Sequence, residues 1–438
     1  MTTSVGPRTL PSSNEELLDV YRRVRAHSLA LAAPLSAEDA AIQSMPDASP
    51  TKWHLAHTTW FFETFVLLEH HTNFQCFHEH FGHLFNSYYN SVGSMFARPN
   101  RGLLSRPSLP EVLDYRAAID AAMESLLAER SDELRDLVVL GLNHEQQHQE
   151  LLLTDFKHVL SLNPLRPVYR TDAARPAPLP HDAPHDAPHD VPLDAPLDAD
   201  TERTWLAVDE GLHWIGHDGT GFAFDNEGPR HRVFLEACEV AATPVTNGEY
   251  TLFIDDGGYQ NPLLWLSDGW ACSSDLGWSA PMYWERQNDE WFEFTLGGLR
   301  AVDPSAPVTH LSHYEADAFA TWSRARLPSE AEWETVANQQ TREGNFVEDQ
   351  RFHPAKTASG WFGNTWEWTA SPYVAYPGFE AASGALGEYN GKFMANQMVL
   401  RGGSCATSRD HVRATYRNFF PAHTRWQFSG LRLARNTR

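Results

Sequence analysis

The strongest chemical signal in the sequence is His144-Glu145-Gln146-Gln147-His148-Gln149-Glu150. Two histidines four apart on a helix project from one face, a turn apart, which is the spacing for two imidazoles on one metal ion. The HExxH pattern also occurs on zinc-metalloprotease helices, where the glutamate (here Glu145) is the general base. No third zinc ligand follows at a typical spacing. A third imidazole is instead available in Trp53-His54-Leu55-Ala56-His57-Thr58-Thr59-Trp60. Three neutral imidazoles leave coordination positions open on a divalent ion, and imidazole suits iron, copper or zinc. His54 and His57 are three residues apart, so both cannot easily ligate the ion that His144 and His148 hold. We take His57 as the third ligand and His54 as a core histidine beside it.

Three further groups carry chemical potential. Tyr88 and Tyr89 are adjacent in Phe85-Asn86-Ser87-Tyr88-Tyr89-Asn90; they either pack or present a phenol as a proton donor near a metal-bound oxygen. Arg98, Arg101 and Arg106 cluster in an otherwise acidic chain. A guanidinium fork suits a substrate carboxylate, the alternative being ion pairs with surface acids. Trp366-Glu367-Trp368 and Tyr416-Arg417-Asn418-Phe419-Phe420 combine ring faces with an amide. Such walls attract quaternary ammonium groups, and they also simply fill cores.

These residues need rigid carriers. Ser13-Asn14-Glu15-Glu16 and Ser108-Leu109-Pro110-Glu111 are capping boxes, each opening onto apolar residues at helical spacing. Helical runs from Trp53 to His70 and from Leu134 to Leu160 complete four segments, with an irregular connection over about 71–107. Residues 12–163 therefore read as a four-helix bundle, whose core can gather ligands from facing helices. Residues 164–203 contain the repeat His181-Asp182-Ala183-Pro184, His185-Asp186-Ala187-Pro188, His189-Asp190-Val191-Pro192. Proline at every fourth position forbids a helix, so this is an extended acidic connector. Residues 204–436 show short apolar runs broken by Gly, Pro, Asn and Asp, with helices chiefly at His313 to Arg324 and Ser329 to Asn338. That texture is a loop-rich α+β domain.

Bulk properties narrow the partners. A formal charge of −23 on 438 residues argues against nucleic acid or an anionic membrane. No apolar run approaches the ~18 residues that span a bilayer, and the start of the chain lacks a signal-peptide pattern, so the expectation is a cytoplasmic protein. The four cysteines, Cys76, Cys238, Cys272 and Cys405, are scattered and form no disulfide or zinc pattern.

With these motifs in order, the chain resembles the ergothioneine-biosynthesis sulfoxide synthases of the EgtB type. These join a DinB-like four-helix bundle to a C-type-lectin-like domain of the formylglycine-generating-enzyme fold. In the bundle the resemblance rests on Trp53-His54-Leu55-Ala56-His57, Asn86-Ser87-Tyr88-Tyr89 and His144 to Glu150. In the second domain it rests on Pro244-Val245-Thr246-Asn247-Gly248-Glu249-Tyr250, Arg326 to Glu334, Gly363-Asn364-Thr365-Trp366-Glu367-Trp368, Arg401-Gly402-Gly403-Ser404 and Phe428-Ser429-Gly430-Leu431-Arg432.

The resemblance implies Fe(II) held by His57, His144 and His148, with O2 as co-substrate. It implies that hercynine (Nα-trimethylhistidine) binds through its imidazole, its trimethylammonium group lying among Gln147, Asn418, Phe419 and Phe420. Tyr88 and Tyr89 would be the phenols near bound oxygen. The donor would be a small thiol, cysteine or γ-glutamylcysteine, with its carboxylate on Arg98, Arg101 and Arg106. The related selenoneine synthases of the SenA type take an uncharged selenosugar instead. Met95 and Phe96 stand where many family members carry a basic pair, which leaves the two donors on equal terms. Formylglycine generation would need paired thiolates, which Cys272 and Cys405 do not supply. No obligatory protein partner is implied.

Overall fold

The computed structural model describes residues 14–171, 173, 203–356 and 360–437. Ser13, the cap expected for the first helix, and the His-Asp-Pro repeat lie outside them. Helix α1 is Asn14–Ala32 and α2 is Thr51–Phe62, which runs on through a π turn at Glu63–Leu67 to His70. Every residue of α2 is buried, as befits a helix without a polar face that occupies the centre of a domain. Helix α3, Leu109–Leu162, is opened by the Ser108 capping box: the Ser108 side chain accepts from the Glu111 N–H, and the Glu111 carboxylate accepts from the Ser108 N–H at 2.7 Å. It consists of two antiparallel arms, 109–129 and 131–162. The helical backbone breaks at Arg130, and Arg116 of the first arm reaches Glu145 of the second. α1, α2 and the two arms are the four rods of the bundle. The connection between α2 and α3 holds a short helix, Phe81–Phe85, and a 3-10 turn, Arg98–Leu103.

The second domain is built from small sheets. Strands Trp205–Val208, Cys238–Ala241 and Ala434–Asn436 form one antiparallel sheet. Asn418–Phe420, Met398–Arg401, Trp366–Pro372 and Ser429–Leu431 form another, in that spatial order. The helices His313–Trp322 and Glu330–Ala337 start on the Ser312 and Ser329 capping boxes. Two helices that the sequence pattern did not mark, Asn247–Asp255 and Ser267–Asp275, are short and carry little apolar periodicity. Buried ion pairs Arg401–Glu334, Arg417–Glu330 and Arg432–Glu367 tie the loops to this frame. In Arg401-Gly402-Gly403-Ser404 both glycines have positive φ (+98° and +78°), and a Cβ on Gly402 would stand 3.1 Å from the Trp361 carbonyl. Only glycine holds that turn without strain.

The 131–162 arm joins the two domains. Asn143, Gln146, Gln147, Glu150 and Lys157 recur at helical spacing, and all five face the second domain. Asn143 meets His411 (2.9 Å), Gln146 donates to Asp410 (2.7 Å) and Gln147 to the Tyr416 hydroxyl (2.7 Å). The Glu150 carboxylate accepts from Ser404, Thr407 and the Trp366 indole at 2.5–2.7 Å. Lys157 Nζ lies 2.6 Å from His310 Nε2. Beyond the helix the chain stays attached: the Tyr169 N–H donates to Leu296 O, and its hydroxyl to Leu31 O at 2.6 Å.

Candidate metal centre

His144 and His148 project from one face of the 131–162 arm toward α2, where His57 faces them. One ring nitrogen of each converges, the three atoms lying within 4.8 Å of one another, and His57 Nε2 is 3.2 Å from His144 Nε2. Gly141, one turn before His144, makes this approach close: a Cβ there would be 2.6 Å from the Phe61 ring and 2.7 Å from the Phe62 ring. The indole of Trp53 stacks on His57 with ring centres 4.6 Å apart. His57 Nδ1 donates to the Phe85 carbonyl at 2.6 Å, so its Nε2 presents a lone pair. His54 lies outside the triad, against His148.

Burial keeps the three rings neutral. It pushes His144 down to about 3. Burial and then the neighbouring His144 imidazole hold His57 and His148 well below the usual histidine range. Neutral, preformed imidazoles are what a divalent ion requires. His144 Nδ1 is buried and has no hydrogen-bond partner among the described residues. The donor set of three nitrogens, without thiolate or carboxylate, fits iron(II) with the other positions left to substrates.

Glu145 cannot act as a protease base. It points away from the triad into a fully buried nest, accepting from Ser28 (2.6 Å), Arg25 (2.9 Å) and Arg116. Burial alone would raise its pKa; Arg116, Arg25 and the Ser28 hydrogen bond outweigh it and hold the carboxyl at about 2. The HExxH glutamate is thus a structural anion joining α1 to both arms of α3.

A cavity of about 470 Å³ opens beside His144. The bundle contributes Phe61, Tyr89 and Asp136, and the second domain contributes Phe222, Phe224, Asp225, Tyr389 and Asn390. Of the tyrosine pair, Tyr89 lines this space; Tyr88 stands behind it, its ring centre 4.9 Å from that of Tyr89 and 5.6 Å from that of Tyr389. The Tyr389 ring meets His144 edge-on at 5.5 Å, and its hydroxyl donates to Gln147 Oε1. Burial raises all three phenols above the ordinary tyrosine value, so they stay protonated.

The other residues singled out from the sequence do not line the cavity. Arg98 and Arg106 are exposed and donate to the Asp47 and Ser105 carbonyls. Arg101 is buried, held by Ser49 (2.9 Å) and Ser87 (3.1 Å), with its guanidinium 3.3 Å from the Trp53 ring centre. It braces the indole that stacks on His57. Asn418 accepts from the Phe419 N–H in an edge strand. Phe419 stacks on Tyr373 and Phe393, and Phe420 packs on Trp426. Gln147 is not on the wall, yet its amide holds Tyr389 and Tyr416 together. Tyr389, Phe224 and Asp225 were missed by sequence reasoning. They come from irregular segments, where an aromatic in a Gly- and Asn-rich stretch such as Gly387-Glu388-Tyr389-Asn390-Gly391 is the only signal.

A buried three-imidazole cluster in a helical bundle, walled on one side by loops of an α+β domain, defines a two-domain class of protein with a candidate metal centre. Residues 21–152 match the DinB superfamily, and residues 195–361 and 358–437 match the sulfatase-modifying factor enzyme 1-like domain. The chain is 32% identical over 367 residues to the hercynine oxygenase of Mycobacterium tuberculosis, covering 77% of this chain and 80% of that protein. It is 30% identical over 376 residues to that of Mycolicibacterium smegmatis, with 77% and 81% covered. Against the hercynine oxygenase of Mycolicibacterium thermoresistibile it is 32% identical over 243 residues, 49% of this chain and 54% of the relative. The chain belongs to this family, the EgtB-type enzymes of ergothioneine biosynthesis.

Proposed function

We propose that the chain joins a sulfur or selenium donor to imidazole C2 of hercynine, with Fe(II) on His57, His144 and His148 and with O2 as co-substrate. The carrying observation is the convergence of three neutral imidazoles beside a cavity walled by protonated phenols and ring faces. Three relatives bear the name hercynine oxygenase, which supports hercynine as the acceptor. When bound, iron(II) supplies the electrons and the Lewis acidity that activate O2. The protein's own part is positioning, exclusion of water and proton supply. Phe61, Phe222, Phe224 and Tyr389, with Asp136 and Asp225 beside them, suit a trimethylammonium group through ring quadrupoles and charge. Tyr89 and Tyr389 carry hydroxyls that burial keeps protonated, and either can deliver a proton at the cavity wall.

The wall also bears on the donor. Among the described residues lining the cavity the charged ones are Asp136 and Asp225, with no arginine or lysine. An amino-acid thiol brings a carboxylate that needs a cation, and a sugar does not. Hercynine carries a carboxylate too, so this wall leaves the uncharged selenosugar and the thiol amino acids on equal terms as donors. The test is the anaerobically iron-loaded protein given hercynine and competing donors, exposed to O2, with products read by mass spectrometry. A hercynine–selenium adduct from the selenosugar, with cysteine a poor substrate, assigns the chain to selenoneine formation. Efficient turnover of cysteine and none of the selenosugar assigns it to sulfoxide synthesis. No product that depends on hercynine overturns the reading as a whole.

A further inference from the structure

α2 and the 131–162 arm run antiparallel, and their polar contacts form a ladder. His57 faces His144, His54 faces His148, and Ser49, just before α2, faces Asp155. We infer that Asp155 and His54 are positioning residues that fix the tautomer and ring orientation of His148; this rests on the metal-centre reading above. Asp155 Oδ2 accepts from the Ser49 backbone N–H at 2.8 Å and lies 3.1 Å from His54 Nε2. A carboxylate can only accept, so the proton of a neutral His54 sits on Nε2 and its Nδ1 carries a lone pair. His54 Nδ1 is 2.9 Å from His148 Nδ1, and this contact is a hydrogen bond only if His148 donates. His148 is thereby held as its Nδ1–H tautomer, with Nε2 bare for a metal.

The three candidate ligands are supported in three ways. A backbone carbonyl orients His57. His144 Nδ1 has no hydrogen-bond partner among the described residues. His148 alone is tied, through a second imidazole, to an anion. All three members of this chain are buried, His54 and Asp155 at 3% exposure and His148 at 8%, so water does not substitute for a lost rung. Asp155 Oδ1 is buried without a partner, which leaves Oδ2 as the atom through which the carboxylate acts. Outer partners of a metal-bound histidine raise its basicity and lock its ring, and losing one typically weakens metal binding about ten- to a hundredfold.

The experiment measures Fe(II) affinity of the full chain by chelator competition, with the visible spectrum of the Co(II)-substituted protein as a second readout. Asp155→Asn keeps an oxygen acceptor for Ser49 and His54, removes the charge and puts an amide NH2 where the unpartnered Oδ1 stands. It should weaken Fe(II) binding about tenfold and shift the Co(II) bands, with the metal-free chain still folded and melting cooperatively. His54→Phe keeps the ring volume, removes the relay and should weaken binding by up to about a hundredfold. If Asp155 acts through His54, adding Asp155→Asn to His54→Phe costs no further affinity. Native Fe(II) affinity and native Co(II) bands in Asp155→Asn overturn the inference, as do losses that simply add in the double variant. A native chain that binds neither ion, or binds them equally after His57→Ala, overturns the metal-centre reading and this inference with it.

Discussion

At the scale of single residues, the HExxH motif divides its labour in a way that spacing alone does not reveal. His144 and His148 turn toward α2, and Glu145 turns into a cage of Arg25, Arg116 and Ser28. Its folded pKa of about 2 lies below its ordinary value of 4.5. The stability it lends is therefore present in full above pH 4.5 and is lost as pH falls toward 2. Glu145→Gln leaves the buried Arg116 guanidinium without its carboxylate, while Arg25 keeps Asp120, and should cost about 3 kcal/mol at neutral pH. Its stability should also vary less with pH between 4.5 and 2 than that of the native chain, as denaturant titrations at several pH values would read. The phenols make a second prediction. Tyr89→Phe and Tyr389→Phe keep both rings, so each variant should fold, retain iron and bind hercynine. Loss of either hydroxyl as proton donor should slow coupling by about ten- to a thousandfold or divert turnover toward simple oxidation of the donor. Tyr88→Phe, one layer back, should do less. Unchanged rates and product ratios in both cavity-wall variants would make those phenols packing residues.

At the scale of elements, one helical arm supplies three faces: ligands toward α2, Glu145 toward α1, and the 143/146/147/150/157 row toward the second domain. Gly141 sets the distance between that arm and α2. Gly141→Ala gains about 1 kcal/mol of helix propensity, but its methyl would strike the rings of Phe61 and Phe62. Overpacking of that kind costs about 1–3 kcal/mol, and Phe61 lies against His144 at 5.1 Å. The variant should melt lower and bind Fe(II) more weakly although all three histidines are present; an unchanged melt and affinity would show that the helices move apart freely. This arm also explains what could be read from the sequence. His57, His144 and His148 were legible because each sits on a regular helix, where spacing fixes direction. The helices of the bundle and the loop-rich texture of the second domain were legible for the same reason, from apolar period and capping boxes. Where Arg98, Arg101 and Arg106 point was not legible, because a cluster of cations in an acidic chain says nothing about direction. Arg101 in fact points inward onto Trp53. Tyr389 and Asp225 were illegible because irregular backbone has no period, and only the packing of the second domain brings them to His144.

At the scale of the whole molecule, the cavity belongs to neither domain alone: His144 and Tyr89 come from the bundle, and Tyr389, Phe224 and Asp225 from across the seam. Its shape therefore depends on how firmly the seam is held, and Glu150 is the seam's central acceptor. Burial outweighs its hydrogen bonds from Ser404, Thr407 and Trp366 and raises its pKa above the ordinary carboxylate value. A raised folded pKa means that this site favours the protonated form, so its contribution is full at low pH and declines as pH rises through that pKa. Glu150→Gln is permanently neutral and keeps an acceptor, while the hydroxyls of Ser404 and Thr407 can rotate to accept from the new amide. It should preserve the seam, match native stability or exceed it at neutral pH, and leave the KM for hercynine unchanged. Glu150→Ala strands the buried indole N–H of Trp366 and two hydroxyls, at about 1–3 kcal/mol for each unsatisfied group. Because the imidazoles lie wholly within the bundle, the alanine variant should still bind Fe(II) as the native chain does. Its KM for hercynine should rise several-fold, since Tyr389 and Phe224 are no longer fixed opposite His144. Iron titration and steady-state kinetics on the two variants separate the roles. Loss of iron from Glu150→Ala would show that the second domain holds the metal site together, and an unchanged KM would show that the cavity wall does not need the seam.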